Sequence, residues 1–531
     1  MWCIPLCLTA FSLLPSSYIH ATSIIDENTL VVNSTQQQRI VKGTVIDANG
    51  EPLIGVNVKE VGGTTGTITD INGEFSLNVA PKTRLEISFI GYQTQNVAVG
   101  ESRQITVTLQ EDTQVLDEVV ITGFGMSQKK ATLTGAVSSI KSEEIARSSA
   151  VTAGGALVGK IAGVNTRQQD GRPGAETALQ IRNMGTPLFV IDGVISDTGQ
   201  FSQMDFNDIE SISVLKDASA ALYGVRAANG VVVVTTKKGK EGKVSLTVSS
   251  NTEFTNPFVM PSFQNRYGTG TGGVMSTSGA MSWGAPLSAA NNYNYSPRDD
   301  YFQTGIVGTE SISLSTGTEK NQTYASAAAV NSKGIVPNNK YNRYNFTVRN
   351  TTTFLDDKMT LDFGASYILQ NDQNMTNQGT YNNPLVGAYL FPRSNDWSDI
   401  SMYERYDAAR KIYTQYWPVG DEGMVMQNPY WINYRNLRQN KKDRYMLNAG
   451  LSYKILDWLT VSGRVRLDNS NNDYTEKFYA STNTQLTESS SRGLYGITKT
   501  QDKQLYADFL VSINKYFGED WSLQALSLIH I

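Results

Sequence analysis

The sequence predicts a mainly β chain: a small N-terminal β-sandwich, then a mixed α/β domain, then about nine strands of a transmembrane antiparallel β-barrel. Three observations predict it. From about residue 243 onward, apolar and polar residues alternate with period two over long runs, so one strand face can meet lipid and the other a polar lumen. Tight links between these runs alternate with long polar connections, the asymmetry of outer-membrane barrels. Beyond the first few residues, no stretch reaches the ~20 apolar residues of a membrane-crossing helix.

Residues 1–23 read as a secretory signal peptide. Ile4–Leu14 supplies a short apolar core, and Ala21-Thr22-Ser23 offers small residues for cleavage. No Lys or Arg precedes that core, which leaves open a native start further upstream. Both cysteines, Cys3 and Cys7, fall in this segment with His20; the other histidine is His530. A mature chain without thiols has no Cys nucleophile, disulfide or Cys-ligated zinc. No enzymatic activity, cofactor or metal is therefore expected. The net charge of −4 gives no basic footprint for nucleic acid. Residues 526–531, Leu526-Ser527-Leu528-Ile529-His530-Ile531, look like translated adaptor sequence, so a non-native tail on an interrupted chain is expected.

The β-sandwich is expected over 40–109. Val41–Ile46 and Leu85–Phe89 alternate, and Asn49-Gly50 and Asn72-Gly73 punctuate the runs as turns. Asp70 and Asn72 before Gly73 hint at calcium, but the EF-hand spacing is not met and a hairpin turn is favoured. A linker follows over 110–123. The mixed domain occupies 124–240. Ala153, Leu157 and Ile161 recur at i+4 on one helical face, with Gly163 as a terminator. Pro187–Gly193, Ser211–Leu215 and Gly230–Thr236 read as buried strands. Asp217 is placed to N-cap a short helix, Ala218–Tyr223, that Gly224 ends.

Residues 243–525 carry the barrel pattern. Leu361, Phe363, Ala365, Tyr367 and Leu369 form one apolar set; Leu459, Val461, Val465 and Leu467 form another, alternating with Arg464, Arg466 and Asp468. Strands are expected to start near Lys243, Ser311, Thr323, Tyr341, Met359, Asp443, Leu459, Leu505 and Trp521. The tight links are Leu355–Lys358, Leu456–Trp458 and Phe517–Asp520, and the long ones roughly Asn371–Lys441 and Asn469–Asp502. An odd strand number cannot close a bacterial single-chain barrel, which points to a partial one.

Several segments resemble the SusC/RagA family of TonB-linked outer-membrane transporters. Asp208–Gly239 is similar to the signature that ends the family's plug domain, with Asp217, Tyr223, Gly224, Arg226, Ala228, Asn229 and Gly230 its distinctive residues. Leu157–Val164 and Pro187–Val194 also resemble plug segments, and Asn428–Trp431 and Tyr453–Thr460 resemble barrel segments. Gly43–Val45, Pro52–Val58, Thr69–Phe75 and Phe89–Tyr92 resemble a carboxypeptidase-regulatory-like sandwich, a noncatalytic module. One departure is Asn183, where many members have glycine.

The resemblance implies a 124–240 plug domain inside a barrel of about 22 strands when complete. It implies a TonB box at Asp117, Glu118, Val119, Val120, Ile121 and Thr122. A β-prone hexamer between a polar linker and a glycine turn can lie extended and unpaired, then add as an edge strand to a partner. The implied partners are TonB with ExbB and ExbD, a SusD-like surface lipoprotein, outer-membrane lipid and an oligosaccharide or peptide cargo. The implied location is the bacterial outer membrane, with the N-terminal domain periplasmic. Siderophore or cobalamin receptors, and a non-transporting surface adhesin, are the alternatives.

Other motifs fail. Gly154–Lys160 nearly fits a phosphate loop, but Ile161 stands where a Ser or Thr must ligate magnesium. The pairs Glu143-Glu144, Asp299-Asp300 and Asp356-Asp357 are sequence neighbours that do not converge on one site. The long connection is rich in aromatics, and Trp397, Trp417, Tyr430 and Trp431 are candidates for substrate contact. Loop self-packing, a lid interface or a membrane girdle would use the same rings.

Overall fold

A computed structural model describes residues 39–530 apart from 48–49, 62–64, 80–82, 90–91, 93, 100–103, 111–118, 122–126, 130–136, 147–150, 169, 277–280, 422, 424 and 518–520. The expected signal peptide, with Cys3, Cys7 and His20, lies outside these residues. The chain divides into two compact units, residues 1–116 and 117–531.

The first unit is a two-sheet β-domain. Its strands are β1 (Arg39–Ile46), β2 (Asn57–Glu60), β3 (Gly66–Ile68), β4 (Glu74–Val79), β5 (Arg84–Ser88), β6 (Gln95–Ala98) and β7 (Gln104–Thr108). They form sheets of order β4-β1-β7 and β3-β2-β5-β6. The alternation places Val41, Val45, Val58, Leu77, Leu85, Ile87 and Val107 in one core. At the turn before β4, Asp70 Oδ1 accepts from the amides of Asn72 and Glu74, both at 2.9 Å. Gly73 takes φ 72°, and a Cβ there would stand 2.5 Å from the Val45 carbonyl oxygen. The carboxylate thus fastens a hairpin turn.

The second unit begins with a hairpin of β8 (Val119–Ile121) and β9 (Ser127–Lys129). The plug follows: β10 (Val137–Lys141), α1 (Ser142–Ala146), β11 (Val164–Gln168), β12 (Thr177–Ile181), β13 (Leu188–Ile191), β14 (Val194–Ser196), α2 (Thr198–Gln203), β15 (Ile209–Leu215) and β16 (Val231–Thr236). Five of these strands make a sheet of order β10-β15-β16-β13-β14, and β11 and β12 pair separately. The three expected buried strands correspond to β13, β15 and β16, whose Phe189, Ile212, Val232 and Val234 enter the core with Ile140 and Leu179.

Two local expectations in the plug are corrected. Ala153, Leu157 and Ile161 are all buried, but no continuous helix joins them: the backbone forms one 3-10 turn, Gly155–Leu157, and Gly159 takes φ 71°. Three glycines at 154, 155 and 159 each disfavour helix by roughly 1 kcal/mol against alanine, which outweighs one apolar stripe. The segment after β15 is a 3-10 run, Asp217–Ala227, in which Lys216 and not Asp217 holds the N-cap position. The Lys216 ammonium donates to Ser138 Oγ at 2.8 Å. Gly224, at φ 66° and ψ −155°, kinks that run, and helical turns resume beyond it to Ala227.

The remainder builds a nine-stranded antiparallel sheet in strictly sequential order. Its strands begin with β17 (Gly242–Thr255). The small ladder β18 (Gly270–Thr271) and β19 (Val274–Met275) sits in the first long connection. Then come β20 (Gly305–Gly317), β21 (Asn321–Lys333), β22 (Lys340–Phe354) and β23 (Met359–Gln373). The longest connection holds α3 (Pro384–Leu390), α4 (Trp397–Ser401), the hairpin β24 (Glu404–Asp407) and β25 (Ile412–Gln415), and α5 (Pro429–Arg435). The wall ends with β26 (Asn436–Leu456), β27 (Leu459–Phe478), β28 (Leu494–Phe517) and β29 (Trp521–His530).

The tight links at 355–358 and 456–458 fall where expected, and Leu355, Asp356 and Asp357 all take positive φ between β22 and β23; residues 518–520 of the third lie outside the described residues. The strands run further than expected toward the long connections. β20 starts at Gly305 and not Ser311, β26 at Asn436 and not Asp443, and β28 at Leu494 and not Leu505. Asn469–Asp473 is polar on both faces, so alternation fades there although the ladder continues through Ser470↔Asp502 and Asp473↔Lys499. The expected Asn469–Asp502 connection shrinks accordingly to the residues between Phe478 and Leu494. Val248, Leu361, Phe363, Leu447, Val465 and Leu505 are exposed on one face, while Arg343, Arg349, Arg444, Arg466, Asp468 and Asp508 are buried on the other. Among the described residues, no helix is long and apolar enough to cross a membrane.

Candidate functional site: the seam between plug and wall

The polar face of the wall meets the plug through arginines. Arg349, on β22, reaches Asp362 on neighbouring β23 with Nε and Nη2, each at 2.9 Å. Its Nη1 reaches Asp192 Oδ2 of the plug at 3.0 Å and also donates to Thr236 Oγ1. Asp192 stands in the turn between β13 and β14 at φ 50°, a conformation that Asp tolerates better than most residues. Its carboxylate accepts from the Thr236 amide at 3.0 Å and the Thr236 hydroxyl at 2.7 Å. Burial works to raise this carboxyl, but Arg349, the two Thr236 donors and Lys238 outweigh it and hold it below the usual carboxylate range. Lys238 closes the group with a 2.6 Å contact to Asp362.

A second cluster repeats the pattern. Arg444 on β26 binds Asp468 on β27 at 2.8 and 2.6 Å, and Asp197 of the plug at 2.8 Å. Asp197 also N-caps α2 through the Gln200 amide, 2.5 Å away. Burial raises Asp197, and Arg444 with that amide more than offsets it, so its carboxyl too lies low. Two further arginines take plug carbonyls. Arg343 donates to Ser202 O and Val151 O, both at 3.1 Å, and to Asn345 Oδ1 at 3.0 Å. Arg466 donates to Ile191 O at 3.3 Å. Asn345 adds a 2.8 Å bond to Gln203 O. The planar guanidinium suits this use, since one group serves two carboxylates, or two carbonyls, at fixed angles. Chemically these contacts can hold the plug firmly and can let go, because each is an ionic or hydrogen bond that water can replace; beside them Val151 packs on Val307, Val330 and Tyr341 of the wall.

The signature residues build the plug itself. Tyr223 is buried with Val190, Leu215 and Val231. Gly230, at φ 86°, could not carry a side chain: a Cβ would meet Ile181 Cδ1 at 2.6 Å and Leu215 O at 3.0 Å. Asn229 donates to Thr186 O at 3.3 Å, while Arg226 and Ala228 are exposed. The side chain of Asp217 lies outside the described residues. Asn183 takes φ 59°, a left-handed conformation that both Asn and Gly adopt readily.

Of the residues expected to form a TonB box, Asp117, Glu118 and Thr122 lie outside the described residues. Val119, Val120 and Ile121 are extended as expected but not unpaired: they form β8 and pair with Lys129, Gln128 and Ser127 of β9. A β-prone strand followed closely by a second short polar strand satisfies its backbone locally. The sequence pattern alone did not reveal that partner.

Of the four aromatic candidates, Trp397, Trp417 and Tyr430 belong to the core of the long connection. Trp397 stacks on Tyr295 with centroids 4.3 Å apart, and its Nε1 donates to Tyr430 Oη at 3.1 Å. Trp431 is fully buried and donates to Thr482 Oγ1 at 3.0 Å. Trp417 and Tyr430 are half-buried beside them. These rings pack one connection against another, since Tyr295 lies between β17 and β20 and Thr482 between β27 and β28. Tyr295, Tyr301 and Arg393 join that core without having stood out in the sequence; Arg393 lies 4.7 Å from the Phe263 ring centre and 4.9 Å from that of Tyr295.

Comparison with known proteins fits this geometry. Residues 129–231 match the model of the TonB-dependent receptor plug domain, and residues 41–121 that of the CarboxypepD_reg-like domain. The TonB-dependent receptor SusC of Bacteroides thetaiotaomicron is 36% identical over 355 residues, 64% of this chain and 34% of that protein. The TonB-dependent receptor P26 of Formosa agariphila is 30% identical over 443 residues, 77% of this chain and 44% of that protein. The chain thus spans between about a third and under half the length of these curated relatives. Two solved structures share the fold. The RagAB peptide importer in its open-open state gives a TM-score of 0.55 at 20% identity, covering 77% of this chain and 48% of that one. Its closed-closed state gives 0.56 at 20% identity, covering 75% and 47%.

Proposed function

This chain is of the SusC/RagA type among TonB-dependent receptors, and on that premise we propose that the protein imports a nutrient, an oligosaccharide or a peptide, across the bacterial outer membrane. The observation that carries the proposal is the seam: a folded plug tied by Arg343, Arg349, Arg444 and Arg466 to the polar face of a strand wall whose other face is apolar. A permanent stopper would be served by apolar packing. A stopper that must yield is better served by links that water can take over, because the displaced groups lose little once solvated.

In this proposal TonB, energised by ExbB and ExbD, engages Asp117–Thr122 and pulls. The force passes first to the β8–β9 hairpin and next to β10, an edge strand of the plug sheet. β10 is held to β15 by five antiparallel residue pairs, from Val137↔Leu215 to Lys141↔Ser211. An edge strand detaches more readily than an internal one, since only one ladder is broken. A SusD-like lipoprotein closes over the long connections, and the N-terminal domain lies in the periplasm. The siderophore and cobalamin alternative rests on shorter likenesses. The Rhizobactin receptor of Rhizobium meliloti matches over 30% of this chain and the vitamin B12 transporter BtuB of Vibrio vulnificus over 25%, against 64% for SusC.

The test is uptake by cells carrying the complete gene, with and without residues 117–122. Labelled oligosaccharides and peptides are offered in parallel, and TonB capture is measured on the same two proteins. Loss of both uptake and capture on deletion supports the proposal. Capture that ignores the deletion, with no uptake by either protein, favours a non-transporting barrel such as an adhesin.

A further inference from the structure

Two plug carboxylates at the seam do not face an arginine squarely. Asp205 and Asp208 lie in the turn between α2 and β15, both deeply buried. They line a cavity of about 510 Å³ between plug and wall, together with Gln200, Tyr324, Asn345 and Thr347. Asp208 Oδ1 accepts from the Tyr324 hydroxyl of β21 at 2.9 Å. Asp205 Oδ1 accepts from the amide and side chain of Asn207 at 3.2 and 3.3 Å. Asp205 Oδ2 is buried and, among the described residues, meets no donor.

Of the charged groups that line the same cavity, Arg349 and Lys238 bind Asp362, Arg349 also binds Asp192, Arg464 binds Asp508 and Arg466 takes Ile191 O. Arg343 of β22 acts on Asp205 but spends its guanidinium on Ser202 O, Val151 O and Asn345. Lys237, at the end of β16, acts on Asp208 from a distance, and Tyr324, Ser326 and Thr347 supply hydroxyls. No group there gives Asp205 Oδ2 the positive partner that Arg349 gives Asp192. Two buried carboxylates so placed cannot both be charged cheaply, since like charges in a poorly solvated space raise each other's proton affinity.

We propose that Asp205 and Asp208 form a proton-binding site between plug and wall, and that the plug is seated tightly with one proton held there and loosely without it. Burial, then the Asp208 charge, pushes the Asp205 carboxyl up to about 6, and burial raises Asp208 as well. The sign follows from linkage. A carboxyl whose value in the seated plug lies above its free value contributes its full share at low pH, and that share is lost as pH rises through about 6. The seat therefore weakens between pH 5 and 7.5, the opposite of what the Arg349–Asp192 pair does.

The experiment is hydrogen exchange of the complete receptor in detergent, read on the amides of residues 198–215 at pH 5 and pH 7.5 and corrected for intrinsic rates. One shared proton predicts about tenfold more protection at pH 5. D205N should narrow that difference, and D205N/D208N, which removes both carboxyls, should be flat with pH. Should D205N disturb the seat at every pH, D208N, which removes the other carboxyl, is expected to give the narrowed difference in its place. Corrected protection that is equal at both pH values in the unaltered protein overturns the proposal. So does a pH dependence that survives undiminished in both single variants, or protection that follows sodium or calcium concentration in place of pH. None of these measurements depends on cargo, TonB or uptake, so the site and the transport function stand or fall separately.

Discussion

Arg349 on the barrel wall and Asp192 in the plug meet at 3.0 Å across the seam, and the same guanidinium grips Asp362 on the neighbouring strand. One cation thus holds two anions that belong to different parts of the second unit. Removing it leaves both anions buried without their main partner, which in a water-poor site costs more than the pair itself contributes. Arg349→Ala is expected to loosen the plug by about 2–4 kcal/mol, the lower part of the range for broken buried pairs because Asp192 keeps some solvent contact. Protease cleavage of the plug in the complete receptor measures it. Arg349→Lys should recover only part, since an ammonium cannot reproduce the fork. Cleavage equal to the unaltered protein in the alanine variant would show that the contact carries no load.

Acid should release the plug by another route. Asp192 and Asp197 are held below the usual carboxylate range despite burial, so their contribution is present above the free value near ~4 and is lost as pH falls through their lowered values. From pH 5 to pH 3 protection of residues 188–203 is expected to fall, and to fall less in Asp192→Asn. A variant that tracks the unaltered protein through this window would contradict the assignment.

Gly230 is expected to tolerate no side chain. Gly230→Ala adds a Cβ 2.6 Å from Ile181 Cδ1 and 3.0 Å from a carbonyl oxygen, at a φ of 86° that alanine rarely takes. The strain and the overlap together should destabilise the plug by roughly 2–4 kcal/mol. Loss of protection over 177–236 with the wall strands unchanged is the expected hydrogen-exchange pattern.

Trp431→Ala tests the loop core. The ring is fully buried and its Nε1 bonds Thr482, so truncation should cost about 3–5 kcal/mol locally. Limited proteolysis between residues 374 and 435 should accelerate while the barrel wall stays resistant. If uptake persists at the normal rate in a correctly assembled variant, a substrate role for Trp431 is excluded.

Domain order and the wall are legible in the sequence because both depend on local rules. Period-two alternation tells lipid face from lumen face, so spacing alone separates Arg464, Arg466 and Asp468 from Val465 and Leu467. The strand ends are not legible, because Asn469–Asp473 pairs as strand with no apolar residue to mark its faces. The seam is not legible either. Arg349 and Asp192 are 157 positions apart, and alternation says only that a residue faces the lumen, not which group it will meet there. The helix expected through Ala153, Leu157 and Ile161 shows the reverse limit: the apolar residues are buried as their spacing implies, and glycine decides the backbone.

β28 runs for 24 residues and β26 for 21, whereas a tilted strand crosses a bilayer in about 9–11. The surplus lies toward the long connections, as a rampart standing proud of the membrane. At ~3.4 Å per residue it rises some tens of ångströms. If the complete protein transports as proposed, an incoming solute would meet this polar rise before it reached the plug and the arginines beneath.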